Sequence, residues 1–485
     1  MNILFAASEA HPLVKTGGLA DVAGALPAAL RRLGEDARLI MPAYRGVAEA
    51  AGAAAITGEM GLLTGAPPAR LLRGTLPGSD VPLYLVEAAG LYDRDGGPYA
   101  SAGGLEWPDN ALRFALLARA AALYGQYDGV EGWRADIVHC NDWQTGLTPA
   151  YLAHAEGPVA RTVMGIHNLA FQGNFPPAVL PLVDLPPSSY QVHGSEFYGN
   201  LSYLKAGIYY ADRIITVSPT YAREIQTAEF GFGMEGLLAA RSAVLSGILN
   251  GIDTDYWNPA ADEHVPAAYD AMDLAGKDTN RRALEQYFGL ETHTDTPLLG
   301  MVTRLTWQKG IDLALEALPQ LLDQGARLVV VGSGEARYEE RLQALASEYP
   351  GRIGVHVGYS EPLAHLVEAG ADLFLMPSRF EPCGLNQMYS MRYGTPPVVR
   401  HTGGLADSVV DTTFRTLQDG TATGFVFVNA SAEALQEALM RALILWRDKS
   451  SFEALCRQGM ARDFSWEKSA RAYLSAYVDM PAGGG

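Results

Sequence analysis

Short, apolar, β-branched runs recur along the chain. They alternate with longer stretches in which apolar residues return every three or four positions. Runs at 2–8 (NILFAAS), 37–42 (ARLIMP), 135–140 (ADIVHC), 161–168 (RTVMGIHN) and 212–218 (DRIITVS) predict strands in the first half. Runs at 298–305, 327–334, 353–360, 372–378, 396–404 and 424–428 predict strands in the second. Between them, segments such as 111–125 and 311–325 carry helical spacing. Strands alternating with helices imply parallel sheets built from βαβ units. Strands apolar along their whole length fit sheets covered on both faces. The fold class is α/β.

The alternation breaks twice. Over 251–297, Pro, Asp and Ala occur without a clean period, which places a domain junction near 253. Over about 55–110, Gly and Pro are frequent, and the zone reads as loops inserted in the first domain. The last residues, 481–485 (PAGGG), read as a disordered tail. The hexapeptide TGGLAD occurs at 16–21 and again at 402–407, each time where a strand-and-loop passage gives way to a helix. Glycines there allow tight turns and close approach of a ligand. Lys15 precedes the first copy and makes it the better anion site.

A chain of 485 residues exceeds one ordinary core and divides into two or three domains. Its formal charge of −18 argues against nucleic acid or an anionic membrane as partner. Cys140, Cys383 and Cys456 form neither a disulfide framework nor a zinc pattern, which fits a reducing compartment. The start, MNILFAASEA, has no basic leader, and no apolar run is long enough to span a bilayer, so the expected location is cytoplasmic.

In open α/β sheets, ligands bind beyond the C-terminal ends of the strands. Glu9, His11, Lys15 and the Gly17–Gly18 pair follow the first strand. HCNDWQ (139–144) and GIHNLAFQG (165–173) end two others. Arg304 and Lys309 follow the strand at 298, where two cations can hold a diphosphate, one as a fork and one as a point charge. Glu381 stands before a helix starting near Gly384, where a carboxylate can grip sugar hydroxyls or simply face the helix dipole. Taken alone, His167 reads as a core histidine and Cys383 as a small packed residue. The DxD triplets at 93–95 and 253–255 carry little weight as metal sites, because such triplets are common.

Seven motifs in order, KTGGLADV (15–22), HNLAFQG (167–173), LKAGIYYADRIITVSPTYAREI (204–225), LNGID (249–253), RLTWQKGID (304–312), SRFEPCGLNQ (378–387) and YGTPPVVRHTGGLADSV (393–409), give the chain a specific likeness. It resembles the glycogen/starch synthase family of retaining glycosyltransferases from residue 1 to about 480. The resemblance implies the GT-B fold, two Rossmann-like domains with parallel sheets facing across a deep cleft. The domains would be 1–253 on the acceptor side, with a C-terminal helix at 465–480 packing back on it, and 254–464 on the donor side. It implies transfer of glucose from ADP-glucose to the non-reducing 4-hydroxyl of an α-1,4-glucan, with ADP released and no metal or other cofactor. Alternatives are a UDP-glucose-dependent transferase and a non-catalytic glucan-binding protein.

Carried over by position, the resemblance assigns His167, Glu381, Lys309 and Arg304 to catalysis. It assigns Lys15, Gly17, Gly18, Arg304, Lys309, Tyr359, Glu381, Cys383, Gly384, Leu385 and Asn386 to the donor, with Tyr359 on the adenine. Asp21, Tyr99, Asp142 and Asn168 fall to the acceptor side. Position 389, where related transferases often have a second glutamate, is tyrosine.

Overall fold

The apolar runs of the first half form consecutive strands of one sheet in the computed structural model, which describes residues 1–292 and 295–480. The 481–485 tail lies outside the described residues. The strands are β1 (Asn2–Ala6), β2 (Asp36–Pro42), β3 (Ala54–Ala55), β4 (Ala69–Thr75), β5 (Pro82–Ala88), β6 (Ile137–Asn141), β7 (Arg161–Ile166), β8 (Asn174–Phe175), β9 (Glu196–Phe197), β10 (Asn200–Ser202), β11 (Arg213–Thr216) and β12 (Leu245–Gly247). Nine of them make a sheet in the order β12-β11-β7-β6-β1-β2-β5-β4-β3, and β8, β10 and β9 make a small sheet of their own. Ile3, Leu4, Phe5 and Ala6 of the central strand are wholly buried, as its unbroken apolar run requires.

The reading of 55–110 as inserted loops needs correction. The zone holds β3, β4 and β5; β5 pairs parallel with β2, and β4 and β3 then extend the edge antiparallel. The Gly- and Pro-rich passages are the turns between these strands, not a replacement for them.

The second half supplies β13 (Leu298–Val302), β14 (Arg327–Gly332), β15 (Ile353–Val357), β16 (Leu373–Met376), β17 (Pro397–Arg400) and β18 (Phe425–Phe427). They form a sheet in the order β15-β14-β13-β16-β17-β18, parallel throughout. Its core packs Leu299, Met301, Val330 and Leu375 against helices that include Ile311–Asp323 and Ala432–Arg447. The irregular passage 251–297 contains a helix, Ala275–Tyr287. Its inward face has little apolar surface: Asn280, Leu284 and Glu285 are its buried residues. Glu285 reaches the fully buried Arg327 at 2.8 Å, so an ion pair, not an apolar stripe, fixes this helix.

Two compact units result, Met1–Gly251 with the described part of Trp466–Gly485, and Ile252–Ser465. Helix Trp466–Val478 belongs to the first, where it packs on helix Gly18–Arg32. Tyr477 Oη lies 2.6 Å from His139 Nδ1 in the middle of β6.

Each sheet has one place where the strand order reverses. In the first unit the chain runs from β1 to β2 on one side and later to β6 on the other. In the second it runs from β13 to β14 on one side and later to β16 on the other. Loops leaving two such neighbouring strands diverge and open a crevice at their C-terminal ends.

Candidate active site

In the first unit, the loop leaving β1 carries Ser8, Glu9 and Lys15 to Gly18. Glu9 is buried, and its Oε2 accepts from the Thr16 amide at 2.5 Å and from the Thr16 hydroxyl at 2.6 Å. Burial raises its pKa above the ordinary carboxyl value, against the pull of those two hydrogen bonds. Lys15 Nζ reaches Asp21 Oδ1 at 2.7 Å across the first turn of helix Gly18–Arg32. The Gly17 and Gly18 positions open onto free space: a Cβ added at either meets nothing within 4 Å. Tyr99, from the loop after β5, is 2.8 Å from the Ser8 hydroxyl.

The loops after β6 and β7 meet beside it. Asn141 Nδ2 donates to the carbonyls of Ala6 (2.9 Å) and His139 (3.3 Å), which fixes the amide orientation. Its Oδ1 therefore faces His167 Nε2 at 2.8 Å, and Nε2 must carry the proton. Burial lowers the His167 pKa to about 4, so the ring is neutral. Asp142 sits at φ +53 and accepts from the His167 amide at 2.8 Å. Burial raises its carboxyl pKa to about 7 despite that bond. The carbonyl and ring of His167 are thus oriented by two neighbouring side chains. Asn168 accepts from the Ala170 amide and shapes the next turn.

Asn141 was not among the residues expected at the site. It is wholly buried, and its partner lies 26 residues on, so only the fold joins the two. Gly165 makes the space: a Cβ there stands 2.9 Å from His139 Nε2 and 3.0 Å from Asn141 Oδ1.

In the second unit, the loops after β13 and β16 straddle the reversal of strand order. Lys309 Nζ binds Glu381 Oε2 at 2.5 Å, and the Ser378 hydroxyl donates to the same oxygen at 3.0 Å. Arg379 grips Asp312 through both guanidinium ends at 2.6 and 2.7 Å and lies 4.5 Å over the Trp307 ring, tying the two loops together. Arg304 is exposed, and among the described residues its guanidinium makes no hydrogen bond or ion pair. Asn386 opens helix Asn386–Arg392 and donates to the Val302 carbonyl at 2.7 Å. Leu385 stands at the cap of that helix, after Gly384 at φ +69 and the buried Cys383. The structure brings Lys309 and Glu381 together, while Asn386 is tied to the end of β13 through Val302. Tyr359 stands apart at the end of β15, 73% exposed.

Three other sequence features take structural places. Tyr389 stacks on Trp257 at 3.8 Å, and His365 covers the opposite face at 3.8 Å. Asp93 and Asp95 both bind Arg45. Asp253 Oδ1 accepts the amides of Asp255 and Tyr256, capping a turn. Among the described residues no cluster of three metal-ligating side chains occurs.

Residues 2–240 match the family model described as the starch synthase catalytic domain, and 285–454 match glycosyl transferases group 1. The chain is 53% identical to a glycogen synthase of Thioalkalivibrio sulfidiphilus, over 99% of this chain and 100% of the relative. It is 50% identical to that of Nitrosospira multiformis, over 99% and 97%. Among solved structures, the catalytic domain of Arabidopsis thaliana starch synthase IV bound to ADP and acarbose is 32% identical, with a TM-score of 0.85 over 98% of both chains. A sucrose-phosphate synthase of Thermosynechococcus elongatus, 18% identical with a TM-score of 0.60, shares the fold.

Proposed function

Because the chain belongs to the glycogen/starch synthase family of GT-B hexosyltransferases, we propose that it moves glucose from ADP-glucose to the 4-hydroxyl at the non-reducing end of an α-1,4-glucan. The α configuration is kept and ADP leaves. The observation that carries this reading is the Lys309–Glu381 pair, set with Arg304 at the strand reversal of the second unit.

Breaking the glycosyl–phosphate bond puts negative charge on the departing diphosphate and positive charge on the sugar ring. Lys309 is already held in place by Glu381, and an ammonium has three donors, so two remain for phosphate oxygens. Arg304 adds an uncommitted fork. Lys15 and the open Gly17–Gly18 turn approach the donor phosphates, and Tyr359 offers an exposed ring to the adenine. Cys383, Gly384, Leu385 and Asn386 supply the backbone around glucose and phosphate.

The half-buried, neutral His167 lies against the sugar, and its main-chain carbonyl faces the positive charge at the anomeric carbon. Both Glu381 contacts fall on Oε2, an ammonium at 2.5 Å and a hydroxyl, which lowers the carboxylate's nucleophilicity. That favours front-face attack, in which the acceptor hydroxyl passes its proton to the departing phosphate, over a covalent glucosyl–Glu381 intermediate. Asp21, Tyr99, Asp142 and Asn168 serve the acceptor side. No metal or other cofactor enters these steps, and activity in EDTA is expected to persist.

The cytoplasm suits the reaction. Cys140, Cys383 and Cys456 are free thiols, burial pushes Cys140 and Cys456 up to about 12, and no helix among the described residues is long and apolar enough to cross a membrane.

A donor panel tests the proposal. Purified protein with glycogen should release ADP from ADP-glucose and extend the glucan through α-linkages. Turnover of UDP-glucose alone, or glucan binding without turnover of any donor, overturns it.

A further inference from the structure

The side chain of Asn141 can meet its surroundings in only one way. It is wholly buried at the last position of β6. Thr145 Oγ1 accepts from the Asn141 main-chain amide at 2.6 Å and donates to the Asn141 carbonyl at 2.9 Å, which pins the backbone. Nδ2 lies 2.9 Å from the Ala6 carbonyl oxygen and 3.3 Å from that of His139. Two carbonyls need donors, and the NH2 end of a side-chain amide supplies both. A flipped amide would set Oδ1 against them. A carboxylate would do the same, and an aliphatic side chain would leave buried polar groups without partners.

Oδ1 is thereby directed at His167, whose Nε2, 2.8 Å away, must donate. Burial lowers the pKa of that ring to about 4, and a neutral imidazole has a single N–H. Its other nitrogen, Nδ1, therefore carries a bare lone pair. Among the described residues Nδ1 has no hydrogen-bond partner, nor is it one of the buried side-chain atoms left unpartnered. His167 itself is half-buried, just past the C-terminal end of β7. A ligand can reach it.

A bare lone pair selects its partner. It repels phosphate and carboxylate oxygens, which are acceptors too, and attracts the hydrogen of a hydroxyl. Nor can it pass a proton to a leaving group, because it holds none. The ring suits a sugar hydroxyl and not a diphosphate.

We propose that Asn141 is a positioning residue that locks His167 in the Nε2–H tautomer, so that Nδ1 accepts a hydrogen bond from a hydroxyl of the glucose being transferred. That the hydroxyl belongs to this glucose rests on the function proposed above; the lock does not. Asn141 is wholly buried and acts through His167.

Two measurements test the proposal. The first is nuclear magnetic resonance on the free wild-type protein, labelled with nitrogen-15 in its histidines. The His167 signals, identified by their loss in His167→Gln, should show Nε2 protonated and Nδ1 bare across neutral pH. A proton on Nδ1 overturns the proposal. The second uses Asn141→Ala, which frees the ring to exchange tautomers. Both proteins are assayed with ADP-glucose and with analogues that each lack one glucose hydroxyl, and their melting temperatures are recorded. In wild type, removing the partner hydroxyl should lower kcat/KM by about tenfold. In Asn141→Ala, kcat/KM for ADP-glucose itself should fall by about tenfold, and the further loss with that analogue should shrink to about twofold or less. The glycogen KM should not move. If every analogue carries the same penalty in both folded proteins, the acceptor role of Nδ1 is overturned. If the variant does not fold, the wild-type signals decide alone. If wild type shows the predicted tautomer yet turns over no ADP-glucose, the lock stands and the proposed reaction falls.

Discussion

The same six residues, TGGLAD, are used in opposite ways in the two units. In the first copy Thr16, Gly17 and Gly18 are exposed, helix Gly18–Arg32 begins at the second glycine, and neither glycine has a neighbour where a Cβ would stand. In the second copy Thr402, Gly403 and Gly404 are buried, and helix Gly403–Ser408 begins at the first glycine. There a Cβ on Gly403 stands 2.0 Å from the Glu381 carbonyl oxygen, and one on Gly404 stands 2.0 Å from that of Cys383. The Gly404 amide donates to the Glu381 and Pro382 carbonyls, both at 3.1 Å. One copy leaves bare backbone for something to approach. The other is already approached, by the very segment that carries Glu381. The strands before them differ as well: β1 is the central first strand of its sheet, whereas β17 is next to the edge. Identical sequence here marks a helix start in each unit, not an equivalent site.

If the second copy exists to hold the Glu381 main chain beside Lys309, the charge it positions must matter most. Lys309→Met should lower kcat by about 10²–10³, the usual loss when a preplaced electrostatic group is removed. Steady-state kinetics with a melting curve checks this, and the melting temperature must stay near wild type for the loss to count. Next, Gly404→Ala should destabilise the second unit by about 3 kcal/mol, because the Cys383 backbone that the added Cβ would strike cannot yield; urea unfolding reads it.

A third test uses charge. The first copy leans on Glu9, whose carboxyl burial pushes above its ordinary pKa, and burial lifts that of its neighbour Asp142 to about 7. Unfolded carboxyls release their protons near pH 4, so between about pH 4 and 7 the folded state holds protons the unfolded state has lost, and stability falls as pH rises. Asp142→Asn removes that penalty. Its stability relative to wild type should grow by about 2 kcal/mol from pH 4 to pH 7 and then level off. The neutral His139 and His167 oppose this trend, but they act alike in both proteins. A constant difference across the range contradicts the burial argument.

The smallest effect is the most discriminating. Gly18→Ala meets no steric obstacle and should raise stability by about 0.5–1 kcal/mol. If the open turn serves the donor, the same change should lower kcat/KM for ADP-glucose by about tenfold, near 1.4 kcal/mol. Destabilisation like that of Gly404→Ala would erase the contrast between the copies.

These differences show what the chain discloses before it folds. The runs at 2–8, 161–168 and 327–334 mark strands because burial on both faces makes their central positions apolar. The strand PLYLVEA was obscured by the Gly- and Pro-rich turns around it. Helix Ala275–Tyr287 was obscured because the Glu285–Arg327 ion pair replaces an apolar stripe. Strands of two or three residues, such as β8 and β9, are too short to show a period at all. At the site, Lys309 and Glu381 were legible as candidates through the family resemblance, and the structure pairs them at 2.5 Å. Asn141 was silent, because a buried amide at a strand end shows its purpose only when His167 arrives beside it. The two TGGLAD copies could not be told apart by sequence, since the difference lies in what packs against them.

The central claim is that Lys309, held by Glu381, takes up charge from a nucleoside diphosphate leaving glucose. Glycogen-dependent release of ADP from ADP-glucose, measured side by side for wild type and Lys309→Met, tests it most directly. The account predicts rapid release by the wild type and loss of about two to three orders of magnitude in a variant that still melts normally. Equal release by the two proteins would contradict it.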